Sequence, residues 1–282
     1  MRVLVTGAGG MVGQAVSREC QAQGDEVLSY DRQALDIADA VRVIAAVTTQ
    51  RPDVVINCAA WTDVDGCESD PTRAEAANAI GPENLALASR KVGSGFLTIS
   101  TDYVFDGAKE GFYTQRDQPN PQSVYAKFKL QGEHRAQLSY ARTVIVRTGF
   151  IFGPAGRNFL STFIDRALSG QELTAIYDSA GTPTYALDLA KRLRELALLD
   201  LPGIYHVVNS GPGATYLEIV EKGLAEAGLS TPIRAVSENS LCRPARRPRN
   251  CRLQCLLSEK IGLSPVRFWR EALKEFAILQ SK

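Results

Sequence analysis

The chain has 282 residues, of which 45% are hydrophobic and 22% charged, and its formal net charge at pH 7 is +1. This composition is typical of a globular protein and excludes extensive disorder. A nearly neutral chain has no general attraction for nucleic acid or an anionic membrane, so an anionic ligand would need a local basic cluster.

The sequence predicts neither a signal peptide nor a membrane span. Met1 leads directly into an apolar strand pattern, and no stretch reaches about 18 consecutive apolar residues. Six cysteines without a CxxC pair favour reduced thiols over a disulfide framework. Three of them, Cys242, Cys251 and Cys255, lie close in sequence but fit no zinc pattern, so we predict no metal site. We expect a cytoplasmic protein.

The first 150 residues alternate short apolar runs with longer helical patterns. The predicted strands are Val3–Thr6, Glu26–Tyr30, Asp53–Asn57, Gly95–Ser100 and Thr143–Arg147. The predicted helices between them are Val12–Gln23, Ala38–Gln50, Ala74–Val92 and Ser123–Leu138. Strands joined by helices of this length predict right-handed crossovers and a parallel sheet covered on both faces, which is an α/β fold.

The rhythm is less regular after Gly153. The predicted elements there are the helices Ser161–Ser169, Ala186–Leu199, Thr215–Ala227 and Phe268–Leu279 and the strand Gly203–Val208. The segment Ser237–Asn250 is rich in turns and contains two prolines that break any helix. We expect residues 1–150 to form one domain, with some later segments returning to it, and residues 151–282 to form mainly a smaller second one. The cleft between them is the default ligand site.

A glycine-rich loop follows the first strand and opens the first helix. It places Gly7, Gly10 and Gly13 in a G-x-x-G-x-x-G pattern that includes Met11 and Val12. Glycines there permit a tight turn and close approach to a pyrophosphate, and the amides at the helix N-terminus favour an anion. Because the pattern lies at the first strand–helix junction, it predicts a Rossmann-type, doubly wound sheet that binds a dinucleotide.

The end of the second strand bears on the choice of dinucleotide. Asp31 lies near the spacing expected of a carboxylate that binds the adenosine ribose, which favours NADH. Arg32 follows it and could pair with a 2′-phosphate, which favours NADPH. The sequence leaves the choice open.

A tyrosine and a lysine are candidates for catalysis. Tyr125 and Lys129 are four residues apart in a helical pattern and therefore share one helix face. An ammonium beside a phenol favours the phenolate, so we expect Lys129 to lower the pKa of Tyr125. Upstream, Ser100, Thr101 and Asp102 end the predicted fourth strand, at the sheet edge where ligands bind and where a hydroxyl could contact a substrate oxygen.

Taken together, these patterns resemble the extended short-chain dehydrogenases and, more narrowly, the dTDP-4-dehydrorhamnose reductases. The resemblance covers nearly the whole chain, and its most specific motif is Ser-Thr-Asp-Tyr-Val-Phe-Asp-Gly at residues 100–107. Other matching segments are residues 7–13, 35–37, 57–65 with Glu68, 78–79, 125–129, 147–148, 158–159, 181–184, 203–206 and 247–248.

The resemblance implies a role for each matching residue. Tyr125 would protonate the sugar oxygen at C4 while the nicotinamide delivers hydride, Lys129 would hold the cofactor ribose, and Thr101 would complete the triad. The residues implied to contact the cofactor are Asp36, Ile37, Cys58, Ala59 and Ala60, in addition to the glycine loop. The residues implied to contact the substrate are Thr62, Val64, Asp102 and Tyr103.

Two residues depart from the pattern of these reductases. Phe150 stands where a Trp is usual, and Trp61 stands where a Tyr or His is more familiar. Phe150 still offers an apolar face to a sugar ring but changes the pocket, so the identity of the sugar is more open than the reaction.

Five arginines lie between residues 243 and 252. One interpretation is a solvated basic loop or a structural ion-pair cluster. The other is a clamp on the pyrophosphate of a nucleotide sugar, because guanidinium geometry suits phosphate oxygens. Within that clamp we select Arg247, which matches the family's Arg-Pro.

The leading hypothesis is reduction of a 4-keto-6-deoxy nucleotide sugar by NADPH or NADH. The alternatives are a related nucleotide-sugar 4-ketoreductase or epimerase, and a non-catalytic regulatory subunit similar to that of methionine adenosyltransferase. The expected partner is the nucleotide sugar, without nucleic acid or membrane. The oligomeric state is open, with a homodimer as one alternative.

Overall fold

A computed structural model describes residues 1–281. Its strands are β1 (Arg2–Thr6), β2 (Glu26–Tyr30), β3 (Val54–Asn57), β4 (Gly95–Thr101), β5 (Thr143–Thr148), β6 (Ile151–Phe152), β7 (Leu173–Ile176), β8 (Ala180–Gly181), β9 (Thr184–Tyr185), β10 (Gly203–His206), β11 (Ala214–Thr215), β12 (Ile233–Val236) and β13 (Asn250–Cys251).

The α-helices are α1 (Met11–Ala22), α2 (Ala40–Gln50), α3 (Val64–Ser69), α4 (Pro71–Glu75), α5 (Gly81–Val92), α6 (Val124–Ser139), α7 (Phe159–Leu168), α8 (Ala186–Leu199), α9 (Tyr216–Glu226) and α10 (Trp269–Gln280). A π-helical segment, Ala76–Ile80, joins α4 to α5, and short 3-10 helices lie at Asp102–Val104, Glu238–Ser240 and Glu259–Ile261. No helix in the described part of the chain combines the length and hydrophobicity needed to cross a membrane.

Six strands form a parallel sheet in the order β10-β5-β4-β3-β1-β2. From β1 the chain winds outward to β2 on one side and then crosses to β3 on the other, so the winding direction reverses between β1 and β3. In sheets of this kind, ligands bind beyond the carboxyl ends of the strands at the reversal. The topology confirms the predicted Rossmann-type, doubly wound α/β fold.

Helices cover both faces of this sheet because its strands are apolar at consecutive positions. In β1, Val3 and Val5 pack on α1 and α8, whereas Leu4 points to the opposite face, toward α2 and α5. All three side chains are fully buried. We call this sheet with its covering helices the first lobe. Both α8 and β10 belong to it, so the chain returns to this lobe after forming β6 to β9.

The second lobe has a separate aromatic core. Phe152, Phe163, Tyr185, Trp269 and Phe276 are buried together among α7, α9 and α10. Small sheets flank this core: β7 with β12, β6 with β9, and β8 between β11 and β13. The cleft between the lobes opens at the carboxyl edge of the six-stranded sheet.

Boundaries of the predicted elements, with one exception, lie within two residues of the observed ones. The exception is the predicted helix Ala74–Val92, which is part of a longer run made of α4, the π-helical segment and α5. Two prolines at first-turn positions, Pro71 and Pro82, mark the starts of α4 and α5. The predicted strand Gly203–Val208 ends at His206, and the prediction missed α3 and the short strands β6 to β9 and β11 to β13.

Candidate active site

A cavity of about 770 Å³ lies between the two lobes. A second cavity of about 620 Å³ continues from it past the glycine loop to the end of β2. Every site residue predicted from the sequence lines at least one of the two. The main cavity takes in Gly10, Met11, Val12, Gly13, Cys58, Ala59, Ala60, Thr62, Val64, Thr101, Asp102, Tyr103, Tyr125, Lys129, Phe150 and Arg247. The second cavity adds Gly7, Asp31, Arg32, Asp36 and Ile37.

The glycine loop leaves room for a ligand only because it lacks Cβ atoms. Gly7 has a φ of +67°, and a Cβ there would lie 2.6 Å from the Ala59 nitrogen. A Cβ on Gly13 would overlap the carbonyl oxygen of Gly7. Gly10 caps α1 without any side-chain hydrogen bond, so no side chain covers the amides of the first turn. This cradle fits the pyrophosphate of a dinucleotide.

The catalytic candidate Tyr125 lies in the first turn of helix α6, and two hydrogen bonds hold that turn in place. The Ser123 side chain accepts a hydrogen bond from the Ala126 amide at 3.3 Å, and Glu68 on α3 accepts one from the Val124 amide at 2.8 Å. These two caps set the first turn, which contains Tyr125. The Tyr125 ring packs edge-on against Tyr103, with 6.3 Å between ring centroids.

Lys129 lies one turn further along the same helix face. It is 4% exposed, and its Nζ donates to the carbonyl oxygen of Ile99 at 2.7 Å. Burial lowers the pKa of Lys129 to about 8, and the Glu133 carboxylate opposes that decrease. The ammonium therefore titrates close to neutral pH.

Burial raises the pKa of the Tyr125 phenol above its ordinary value, and a hydrogen bond with Thr101 opposes that increase. The predicted decrease is wrong, because burial and the nearby Asp102 carboxyl group both disfavour the phenolate, and the Thr101 hydrogen bond offsets only part of their effect. Tyr125 therefore keeps its proton at neutral pH, which is the form that can donate one.

The end of β4 contributes a hydroxyl and a carboxyl group. The Thr101 hydroxyl donates to Asp102 Oδ1 at 3.1 Å and accepts from the Tyr103 amide at 3.2 Å. Asp102 is 2% exposed, and its Oδ2 is buried without a hydrogen-bond partner among the described residues. Burial raises the pKa of Asp102 to about 7. A Cβ on Gly149 would collide with this carboxyl group, which explains the glycine beside it.

The second cavity carries charges of both signs. Asp31 accepts a hydrogen bond from the Ala34 amide at 2.8 Å, and Arg32 Nε lies 4.0 Å from Asp36 Oδ2. Sequence reasoning missed two arginines that also line this cavity, Arg73 and Arg157. Arg73 lies over the Trp61 ring, 4.2 Å from its centroid. No local spacing pattern links these arginines to β2, since they come from distant segments.

Arg247, selected from the sequence as a pyrophosphate ligand, is held in a salt bridge with Asp65. Its Nη2 donates to Asp65 Oδ2 at 2.7 Å and its Nη1 to Asp65 Oδ1 at 3.1 Å. This contact lowers the pKa of Asp65 and ties the arginine-rich segment to α3. Arg243 lines the same cavity and pairs with Glu238 at 3.4 Å. Arg243 belongs to the arginine cluster but was not selected from it.

Phe150 adopts a φ of +48°, which is rare for a residue other than glycine. Its ring packs against Tyr216, with 4.5 Å between centroids. The two rings form an apolar part of the main cavity wall.

The chain has close relatives of nearly equal length. Residues 1–280 match the family model described as RmlD substrate binding domain. A dTDP-4-dehydrorhamnose reductase of Streptomyces griseus is 39% identical over 282 residues, covering 97% of this chain and 92% of that protein. The spore coat polysaccharide biosynthesis protein SpsK of Bacillus subtilis is 38% identical over 275 residues, covering 98% and 96%. The structure of dTDP-4-dehydrorhamnose reductase from Bacillus anthracis in complex with NADP has a TM-score of 0.95 to this chain, with 33% identity over 99% of each chain.

Proposed function

The chain belongs to the RmlD substrate binding domain family, and from this membership we propose that it reduces the C4 keto group of a nucleotide-linked 6-deoxy sugar. The substrate supported best is dTDP-4-dehydro-L-rhamnose, with dTDP-L-rhamnose as product, since relatives that match over nearly their full length carry this activity in their names. The enzyme is an NAD(P)-dependent oxidoreductase.

One observation carries the proposal: a phenol, an ammonium and a strand-end hydroxyl line the same cavity as a helix N-terminus built to face phosphate. Tyr125, Lys129 and Thr101 meet there with the glycine loop. Each feature is common alone, but their meeting at the sheet reversal matches reduction of a carbonyl beside a bound dinucleotide.

NADPH or NADH supplies the hydride when bound, and a side chain of the protein supplies the proton. Tyr125 donates its proton to the C4 oxygen, so the ketone becomes a hydroxyl group. The raised pKa of the buried phenol keeps that proton in place until the oxygen becomes basic. Lys129 stabilises the resulting phenolate, and the Thr101 hydroxyl, which donates to Asp102 in this structure, turns to donate a hydrogen bond to the phenolate oxygen.

The two lobes divide the binding in this proposal. Residues 1–150 with α8 and β10 bind the dinucleotide, and the lobe built mainly from residues 151–282 binds the nucleotide sugar. Six free cysteines support a cytoplasmic location. The homodimer stays a prediction, which light scattering on the purified protein would test.

The direct test mixes purified protein, keto sugar and NADPH or NADH. We expect loss of absorbance at the nicotinamide band in step with formation of the reduced sugar, whose C4 stereochemistry NMR would assign. Turnover without net loss of reduced cofactor would indicate an epimerase instead. Dinucleotide binding without turnover of any keto sugar would contradict the reductase assignment.

For the nucleotide end, we expect Arg247→Gln and Arg243→Gln each to raise the KM for the nucleotide sugar about tenfold, because each removes a guanidinium from the cavity wall. The matched control is Arg246→Gln, an exposed arginine of the same segment that does not line the cavity. Steady-state kinetics measure all three variants. Equal KM values for the three would count against a clamp on the pyrophosphate.

A further inference from the structure

Glu133 is a buried carboxylate that the mechanism above does not use. It is 2% exposed and lies one turn beyond Lys129 on the same face of α6. Arg147 on β5 donates from Nε to Oε1 at 3.0 Å and from Nη2 to Oε2 at 2.6 Å. The Ser100 hydroxyl on β4 also donates to Oε1. Both carboxylate oxygens are therefore engaged by neighbouring strands.

Lys129, by contrast, has no ion-pair partner within 4.0 Å among residues 1–281. Its ammonium donates to the Ile99 carbonyl oxygen and faces the main cavity. The groups that act electrostatically on it are Glu133 and Cys58, the latter from the loop after β3. Burial raises the pKa of the Cys58 thiol to about 12, so this thiol is uncharged at neutral pH. Glu133 therefore supplies the negative charge that supports the ammonium.

We propose that Glu133 is a positioning residue of the reductase: clamped by Arg147 and Ser100, it keeps Lys129 charged without capturing it. This inference rests on the function proposed above and assigns a task to Arg147 as well. A lysine and a glutamate four residues apart lie on neighbouring turns of one helix face, within reach of a direct ion pair. The clamp prevents that pair, so the lysine donors stay available to the cavity.

Removing Glu133 and removing Arg147 should shift the pKa of Lys129 in opposite directions. Without the negative charge of Glu133, the buried ammonium loses its support, and the pKa of Lys129 falls. Without Arg147, the released carboxylate turns to Lys129, and the pKa of Lys129 rises. An ion pair that has no electrostatic effect on Lys129 predicts a loss of stability in both variants and no shift in the pKa of Lys129.

The experiment measures NADPH affinity against pH by nicotinamide fluorescence, which needs no sugar, together with kcat and KM for the keto sugar. Wild-type affinity should fall as pH rises through about 8, since the charged form of Lys129 holds the cofactor ribose. We expect Glu133→Gln to move this midpoint about one pH unit lower and Arg147→Met to move it higher. In Arg147→Met, kcat should also fall as the ammonium is withdrawn.

The double variant Glu133→Gln with Arg147→Met covers the case in which the single variants do not fold, since it removes both charges of the buried pair and strands neither of them. Its midpoint should stay below that of the wild type even with stability restored. A wild-type midpoint in the double variant, or shifts of the same sign in both single variants, would overturn the proposal. Failure of the wild type to reduce the keto sugar would count against the proposed function alone, because the binding measurement is independent of it.

Discussion

Replacing Tyr125 with Phe is expected to lower kcat/KM for the keto sugar by about 100- to 10,000-fold, the usual contribution of a positioned general acid. The substitution removes one hydroxyl from a side chain that is 8% exposed and keeps its ring packed against Tyr103. Dinucleotide affinity should therefore change little. Initial rates measured by cofactor absorbance, with NADPH titrated separately, would show whether only the chemical step is affected.

The matched control for that variant is Tyr205→Phe. Tyr205 is also buried, and its hydroxyl donates to the Leu201 carbonyl oxygen at 3.0 Å, outside both cavities. Its loss should cost about 1 kcal/mol in the free energy of unfolding and leave turnover near the wild-type rate. A Tyr125→Phe enzyme that turns over as fast as this control would remove Tyr125 from the mechanism.

Gly13→Ala is expected to raise the Kd for NADPH at least tenfold. The added methyl group would overlap the carbonyl oxygen of Gly7, so the turn that exposes the amides of α1 must shift. Crowding at such a buried contact also lowers the free energy of unfolding by about 1–3 kcal/mol. Fluorescence titration with NADPH and urea denaturation measure the two effects.

Gly9→Ala is the matched control for Gly13→Ala, because it adds a methyl group to the same loop without crowding the Gly7 carbonyl oxygen. A Cβ on Gly9 would meet only the Asp31 Cβ, at 3.6 Å, which is an ordinary van der Waals distance. We expect this variant to bind NADPH within about threefold of the wild type. Similar losses of affinity in the two variants would show that the Gly7–Gly13 contact does not shape the site.

Long periodic elements were predictable because their side-chain pattern is local. Helix α8 was expected at Ala186–Leu199 and has those bounds, since one apolar face recurs along its length. Short elements were not predictable in the same way. Helix α3 has six residues, and β7 and β12 have four each, too few for a period to stand out. These elements form because Asp63 caps α3 and because β7 and β12 pair with each other.

In the candidate site, too, local spacing was predictable from the sequence and long-range contacts were not. The four-residue spacing of Tyr125 and Lys129 was visible in the sequence. Glu133 lies four residues further on, and this spacing could have placed it on the same helix face, but it was not among the predicted site residues. Its partner Arg147 could not be inferred from spacing, because it lies on the neighbouring strand β5. The pairing of Arg247 with Asp65 joins residues 182 positions apart.

By itself, the sequence determined the alternation of strands and helices, the glycine loop at the first junction and the shared helix face of Tyr125 and Lys129. These features depend on backbone preferences and on repeats a few residues long. Only the tertiary structure decided which side chains are buried together, and therefore the rise in the pKa of Tyr125, the clamp on Glu133 and the anchoring of Arg247. Desolvation and long-range pairing depend on how the whole chain packs, and no local pattern encodes them.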